Sequence, residues 1–235
     1  MIKMVVFDMA GTVIDEKNAV YRTLLKTIND EGYHLTLEQV LSEGAGKEKF
    51  KAIKDILLKH TGIADDTLPN RIFQNFQTKL GNTYDTMEIK AQPGAEELFN
   101  ELNKRGIYSV LNTGYDLKTA QSILRKVNWE EGKQIDAMVT ASDVANNRPA
   151  PDMIDRAKKK FGLSVSDQVV KVGDSAIDIE EGKNAKCVLN IGITTGAHSR
   201  EQLLAAKPDY VVDSLLEILP LIEKCSNVLT LMSPN

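Results

Sequence analysis

The stretch Met4-Val5-Val6-Phe7-Asp8-Met9-Ala10-Gly11-Thr12-Val13 decides the fold. A short apolar, β-branched run ends abruptly in an acid, then in a small residue and Gly-Thr. That is the pattern of a parallel strand buried on both faces. Open α/β sheets bind their ligands at the carboxyl ends of such strands. Asp8 therefore sits where a carboxylate serves as a nucleophile or a metal ligand. Ala10, two residues on, offers only a methyl group.

Outward from this strand, the chain alternates between two periods. Pro93 and Gly94 open a helical pattern through Leu98 and Leu102, and Gly106 stops it. Strands are expected at 107–111, 137–140, 168–172, 188–193 and 210–212. Helices are expected at 116–128, 151–162, 176–185 and 215–224, with 226–235 as a weakly ordered tail. Strands alternating with helices imply a parallel sheet covered on both faces. Residues 17–87 break the rhythm, with helical periods near 19–30, 47–59 and 69–84 and no strand between them. The expectation is an α/β fold: a Rossmann-like core of residues 1–16 and 88–235, with an inserted helical cap at 17–87.

Composition narrows the function. At 235 residues and 42% hydrophobic, the chain can bury a full core. Its 29 basic and 33 acidic residues give a net charge of −4, which argues against a nucleic-acid or anionic-membrane partner. No apolar run approaches the ~18 residues of a membrane span, and with residues 1–7 already strand-like no signal peptide is expected. Cys187 and Cys225 lack metal-ligand spacing and read as reduced thiols of a cytoplasmic protein.

Four side chains fall at or just beyond strand ends: Asp8, Thr113, Arg148 and Asp174. In a parallel sheet those ends share one edge. Together they suggest phosphoryl transfer to a carboxylate. Asp8 attacks phosphorus, and Asp8 and Asp174 hold a divalent ion. The Thr113 hydroxyl and the Gly114 N–H bind a phosphoryl oxygen, and Arg148 supplies a fixed positive fork. Oxygen ligands with water suit Mg²⁺.

Four ordered motifs resemble those of the haloacid dehalogenase superfamily. They are Asp8-Met9-Ala10-Gly11-Thr12, Leu111-Asn112-Thr113-Gly114, Arg148-Pro149-Ala150-Pro151 and Gly173-Asp174-Ser175-Ala176-Ile177-Asp178. The resemblance implies Mg²⁺ and an aspartyl-phosphate intermediate. It also implies a metal-binding carbonyl at Ala10, with Asp178 completing the metal site beside the cation of the third motif. Asn112-Thr113-Gly114-Tyr115, Ser142-Asp143-Val144 and Asn147-Arg148-Pro149 are most similar to the phosphonatase group. That likeness adds Tyr115 to the substrate-binding residues and makes a homodimer plausible. It implies cleavage of the carbon–phosphorus bond of a small phosphonate, such as phosphonoacetaldehyde, through an imine on a cap lysine. An imine-activated carbon leaves without the acid that the superfamily commonly carries at the position of Ala10.

The matching segment, Gly44 to Ile53, puts Lys49 on the imine lysine. At about 100° per residue, Lys49 lies within roughly 40° of Ile53 and Ile56, whereas Lys47, Lys51 and Lys54 lie some 140° to 200° away. Lys49 is thus the lysine turned toward an interior, where its pKa would fall. Ala45 and Ala52 stand where the group has a methionine and a proton-moving histidine. The alternative is a Mg²⁺-dependent phosphatase of small phosphate monoesters without imine chemistry.

Overall fold

The computed structural model describes residues 2–163 and 168–232. Strand β1 (Met4–Asp8) is fully buried and pairs in parallel with β4 (Tyr108–Thr113) on one side and β6 (Val169–Gly173) on the other. Strand β5 (Ala137–Thr140) lies outside β4, while β7 (Leu189–Ile193) and β8 (Tyr210–Val212) extend the sheet beyond β6. The order β5-β4-β1-β6-β7-β8 runs outward in both directions from β1. The crevice between β1 and β6 is thus a topological switch point, where an open α/β sheet leaves room for a ligand.

Helices α5 (Ala95–Lys104), α6 (Leu117–Lys126), α7 (Asp152–Lys160), α8 (Ala176–Asn184) and α9 (Arg200–Ala205) connect these strands. The sheet separates two apolar clusters. The larger contains Val5, Phe7, Leu111 and Val172, and the smaller contains Met4, Val6, Val110 and Val169. Alternate residues of β1 therefore feed opposite layers, as the period of a strand requires.

Four helices are inserted after the first strand: α1 (Ala19–Asn29), α2 (Leu37–Gly44), α3 (Lys49–Thr61) and α4 (Thr67–Thr86). Helix α2 has no counterpart in the sequence expectations, because only eight residues carry its period. A capping box fixes it instead, with Thr36 and Gln39 each accepting from the other's backbone N–H. The insert joins the sheet through antiparallel strands β2 (Ile14–Asp15) and β3 (Lys90–Ala91), which clamp the two connections together.

Two expected boundaries move. Strand β4 was expected to stop at Leu111 but continues through Asn112 and Thr113, both buried. The final helix, α10 (Ile218–Met232), continues through residues expected to form a loose tail. Cys225 and Leu229 extend its apolar face and pack against the larger core. The tail beyond 232 lies outside the described residues.

The insert closes directly onto the sheet edge. A Cβ on Gly46, whose φ is +71°, would lie 2.5 Å from both Ile177 Cγ2 and Ser175 Oγ. A Cβ on Gly114 would lie 2.8 Å from the Lys47 carbonyl oxygen. Gly46→Ala is therefore expected to hold the insert off the core. Turnover should fall by at least about tenfold, a loss of roughly 1.4 kcal/mol in transition-state stabilisation. Limited proteolysis of the connections, beside activity assays, checks this.

Candidate active site

Asp8 leaves the end of β1, Asp174 follows the end of β6, and Asp178 sits one turn into α8. One carboxylate oxygen from each lies within 4.8 Å of the others, and all three residues are buried. Residues separated by more than 160 positions thus meet at the switch point. Gly196 permits the approach, since a Cβ there would lie 1.9 Å from the Asp174 carboxylate.

Arg148 is the hub of this edge and is 1% exposed. Its Nη1 donates to Asp8 Oδ1 at 2.6 Å and to the Gly46 carbonyl of the insert at 3.3 Å. The same nitrogen lies 3.1 Å from Asp178 Oδ1. Nε donates to Glu181 Oε2 at 2.9 Å, and Nη2 to the backbone and side-chain oxygens of Asn112. Lys171, fully buried in β6, meets Asn112 Oδ1 at 2.7 Å, Asp178 at 3.0 Å and Glu181 at 3.2 Å.

Lys171 and Glu181 were not foreseen. A lysine in the run Val169-Val170-Lys171-Val172 is an anomaly that needs a buried acid, and Glu181 lies one helical turn after Asp178. Both signals were legible. Asn112 was quoted only as part of a motif, yet it bridges the two buried cations and donates to Glu181 Oε1 at 2.8 Å.

The charges divide into two groups. Against the cost of burial, Arg148 and Lys171 hold the Asp178 carboxyl below the usual range. Burial and the neighbouring acids Asp8 and Asp178 instead push Asp174 well above that range. Asp8 is also raised, by burial, against the opposing pull of Arg148. Among the described residues Asp174 has no ion pair. Its carboxylate accepts the Ala197 N–H at 2.6 Å and the Thr12 hydroxyl at 3.3 Å. Adjoining buried carboxylates with so little cationic support fit a hard divalent ion, with Asp8 and Asp174 as side-chain ligands. Asp178 is already engaged by Arg148, Lys171 and the Ser175 hydroxyl, which suits it to orienting the site from outside the ion's own ligands.

Lys49 opens helix α3, and only 7% of it is exposed. Its Nζ donates to the Lys47 carbonyl at 2.6 Å and lies 5.4 Å from the ring centroids of both Tyr21 and Tyr115. Burial, opposed by Asp8 and reinforced by Arg148, lowers its pKa to about 8. The other three lysines pair with acids of the insert: half-buried Lys47 and exposed Lys51 with Asp55, and Lys54 with Asp66. His60 lies in the last turn of α3 and not beside Lys49.

Asp8, Ala10, Tyr21, Gly46, Lys49, Thr113, Gly114, Tyr115 and Arg148 enclose a chamber of about 10 Å³. That is close to the space one water needs. A second cavity of about 610 Å³ shares Lys49, Gly114 and Tyr115 as its wall. It extends between α4 and α6, past Phe76, Leu80 and Lys118. The structure thus brings together every anticipated site residue.

The fold and the buried acid–arginine cluster define a hydrolase of the α/β class. Residues 5–190 match the model of the haloacid dehalogenase-like hydrolases, and the chain belongs to that family. It is 30% identical to phosphonoacetaldehyde hydrolase of Parabacteroides distasonis, across 95% of this chain and 96% of that one. It is 25% identical to a phosphoglycolate phosphatase of Vibrio parahaemolyticus, across 94% and 96%. Among solved structures, a phosphonoacetaldehyde hydrolase-like protein from Oleispira antarctica superposes with a TM-score of 0.83 at 23% identity. That match covers 100% of this chain and 96% of its own. No helix among the described residues is long and apolar enough to cross a membrane.

In the metal-free protein, the raised Asp174 pKa makes folding less favourable as pH rises above the ordinary carboxylate range. The unfolded chain loses that proton first. A divalent ion at the cluster should reverse this. Mg²⁺ at about 100 times its dissociation constant adds roughly 2.7 kcal/mol, or several degrees in Tm. Asp174→Asn should abolish the increment in a thermal-shift titration at pH 7.5.

Proposed function

We propose that this enzyme is a phosphonatase-like hydrolase that cleaves the C–P bond of a small phosphonate carrying a carbonyl group. The observation that carries the reading is Lys49. It is an amine with a lowered pKa, enclosed in a chamber that Asp8 and Ala10 also line. Similarity to enzymes named phosphonoacetaldehyde hydrolase across nearly the full chain supports it.

In this reading the Thr113 hydroxyl and the Gly114 N–H receive phosphoryl oxygens, and Arg148 fixes the Asp8 carboxylate in line with phosphorus. Asp8, Asp174 and the Ala10 carbonyl, with Asp178 beside them, would hold Mg²⁺, which would supply neutralisation of the charge on nucleophile and phosphonate. Lys49 Nζ condenses with the substrate carbonyl and expels water, leaving a C=N⁺ group. Asp8 then attacks phosphorus, and the electron pair of the C–P bond flows toward the iminium nitrogen as an enamine. This departing group needs no proton on a leaving oxygen, which accounts for an alanine at position 10.

Residues 17–87 act as a cap over the site. The small chamber admits substrate only when that cap opens, so opening and closing gate turnover. Tyr115 contacts the organic half, which extends toward the larger cavity. The phosphatase of small monoesters remains the second reading, favoured by the buried methyl of Ala52 near Lys49 and by the phosphoglycolate phosphatase relative.

Incubation with phosphonoacetaldehyde and borohydride should leave a reduced adduct on Lys49, located by peptide mass spectrometry. Lys49→Arg should lose the adduct and reduce phosphate release from phosphonoacetaldehyde to background. Asp8→Asn should lose phosphate release but keep the adduct. An Lys49→Arg variant that hydrolyses all substrates normally would select the phosphatase reading.

A further inference from the structure

Glu16 plays no part in holding phosphate or metal, yet it is 1% exposed at the first connection between sheet and insert. Its Oε2 accepts the Val20 N–H at 2.9 Å, at the start of α1, and the Tyr84 hydroxyl at 3.1 Å. Tyr84, on α4, shares a 2.7 Å hydrogen bond with the hydroxyl of Tyr115, which follows β4. Tyr115 in turn walls the chamber beside Lys49. Three oxygens from the connection, the insert and the sheet edge thus form one buried line ending at Tyr115, whose ring lies 5.4 Å from Lys49 Nζ in the wall of the same chamber.

We infer that Glu16 is the proton store for the Lys49 condensation, acting through Tyr84 and Tyr115 in place of a histidine on α3. The inference rests on the imine reading above. Glu16 touches no reacting atom and is a positioning residue for the hydroxyl that does, Tyr115.

The balance is one proton. Lys49 Nζ, as the free amine, forms the C–N bond and the carbonyl oxygen becomes hydroxyl. As the nitrogen lone pair closes C=N⁺, that oxygen leaves as water. One of its hydrogens comes from nitrogen. The other arrives from Tyr115 Oη, which is refilled by Tyr84, and Tyr84 by the Glu16 carboxyl. After C–P cleavage the enamine carbon takes the proton released as water hydrolyses the aspartyl phosphate, which restores C=N⁺, and hydrolysis of that group returns the first proton along the same line. An ionised Glu16 orients both hydroxyls toward itself and leaves Tyr115 an acceptor in the chamber. A protonated Glu16 reverses the line and makes Tyr115 a donor.

Burial lifts the Glu16 carboxyl to about 7, against the Val20 N–H, the Tyr84 hydroxyl and the charge of Lys49. The groups facing it are Tyr84, Tyr115, Tyr21 and Lys49. Burial pushes all three tyrosines well above 10. Each tyrosine on the line therefore passes a proton while remaining neutral, and Glu16 is the group of the line that titrates near neutrality.

The test uses the full-length enzyme with Mg²⁺ and phosphonoacetaldehyde, following kcat and KM from pH 5.5 to 9. The wild type should show an ascending limb from Lys49 and a descending limb as Glu16 loses its proton. Glu16→Gln should lower kcat by roughly 10²-fold, the scale of a lost acid–base path, with KM changed less than about threefold. It should also erase the descending limb while keeping the ascending one. Glu16→Asp should restore that limb. Tyr84→Phe, which leaves Glu16 in place but cuts the line, should reproduce the Glu16→Gln loss and covers the case in which Glu16→Gln fails to fold. A folded Glu16→Gln or Tyr84→Phe enzyme with wild-type kcat and both limbs overturns the inference while leaving the imine reading standing. Absence of a borohydride adduct on wild-type Lys49 overturns both.

Discussion

The structure depends on the buried guanidinium of Arg148. It is the point where the carboxylate of β1, the acids of α8, the end of β4 and a carbonyl of the insert all meet. Burying an arginine is costly unless every donor is matched, and an unmatched buried partner typically costs about 3–5 kcal/mol. Arg148 satisfies the condition with Asp8, Asp178, Glu181, Asn112 and Gly46. Lys171 shares three of these partners from β6. Five acids then stand near three cations: Asp8, Glu16, Asp174, Asp178 and Glu181 against Arg148, Lys171 and Lys49. Asp174 and Glu16 have no ion pair among the described residues, and of the two Asp174 lies in the carboxylate cluster with Asp8 and Asp178, a set that fits a divalent ion.

The same arginine couples the sheet to the insert. Its contact with the Gly46 carbonyl works beside the close backbone approaches at Gly46 and Gly114 and a hydrogen bond between His198 Nε2 and the Leu41 carbonyl. The insert therefore meets the sheet edge along polar and backbone groups as well as apolar side chains. In this arrangement Lys49 lines a chamber with room for about one water, and its burial there lowers its pKa.

Much of this was readable from particular residues. The Phe7-Asp8 boundary located the central strand and its carboxylate, and helical spacing separated Lys49 from its three neighbouring lysines. Other features escaped for definable reasons. Asn112 and Thr113 looked like the end of an apolar strand, since nothing local shows that the Asn112 side chain is matched from β6, α8 and the Arg148 loop, while the Thr113 hydroxyl accepts the Tyr115 N–H. Helix α2 carries too few residues for its period to stand out. Helix α10 outran its expected end because the packing of its last turns against the core supplies what the local pattern does not.

The sequence by itself determined the alternation of strand and helix, the acid at the tip of β1 and the alanine after it, because strand periodicity and side-chain chemistry are local properties. Only the tertiary structure decided which charges pair and which are left over. Those outcomes depend on burial and on distances between residues far apart in the chain. Glu16 shows the difference: in the sequence it is one acid before a helix, and in the fold it is the buried end of a hydrogen-bonded line that runs through Tyr84 to Tyr115, in the chamber wall that Lys49 shares.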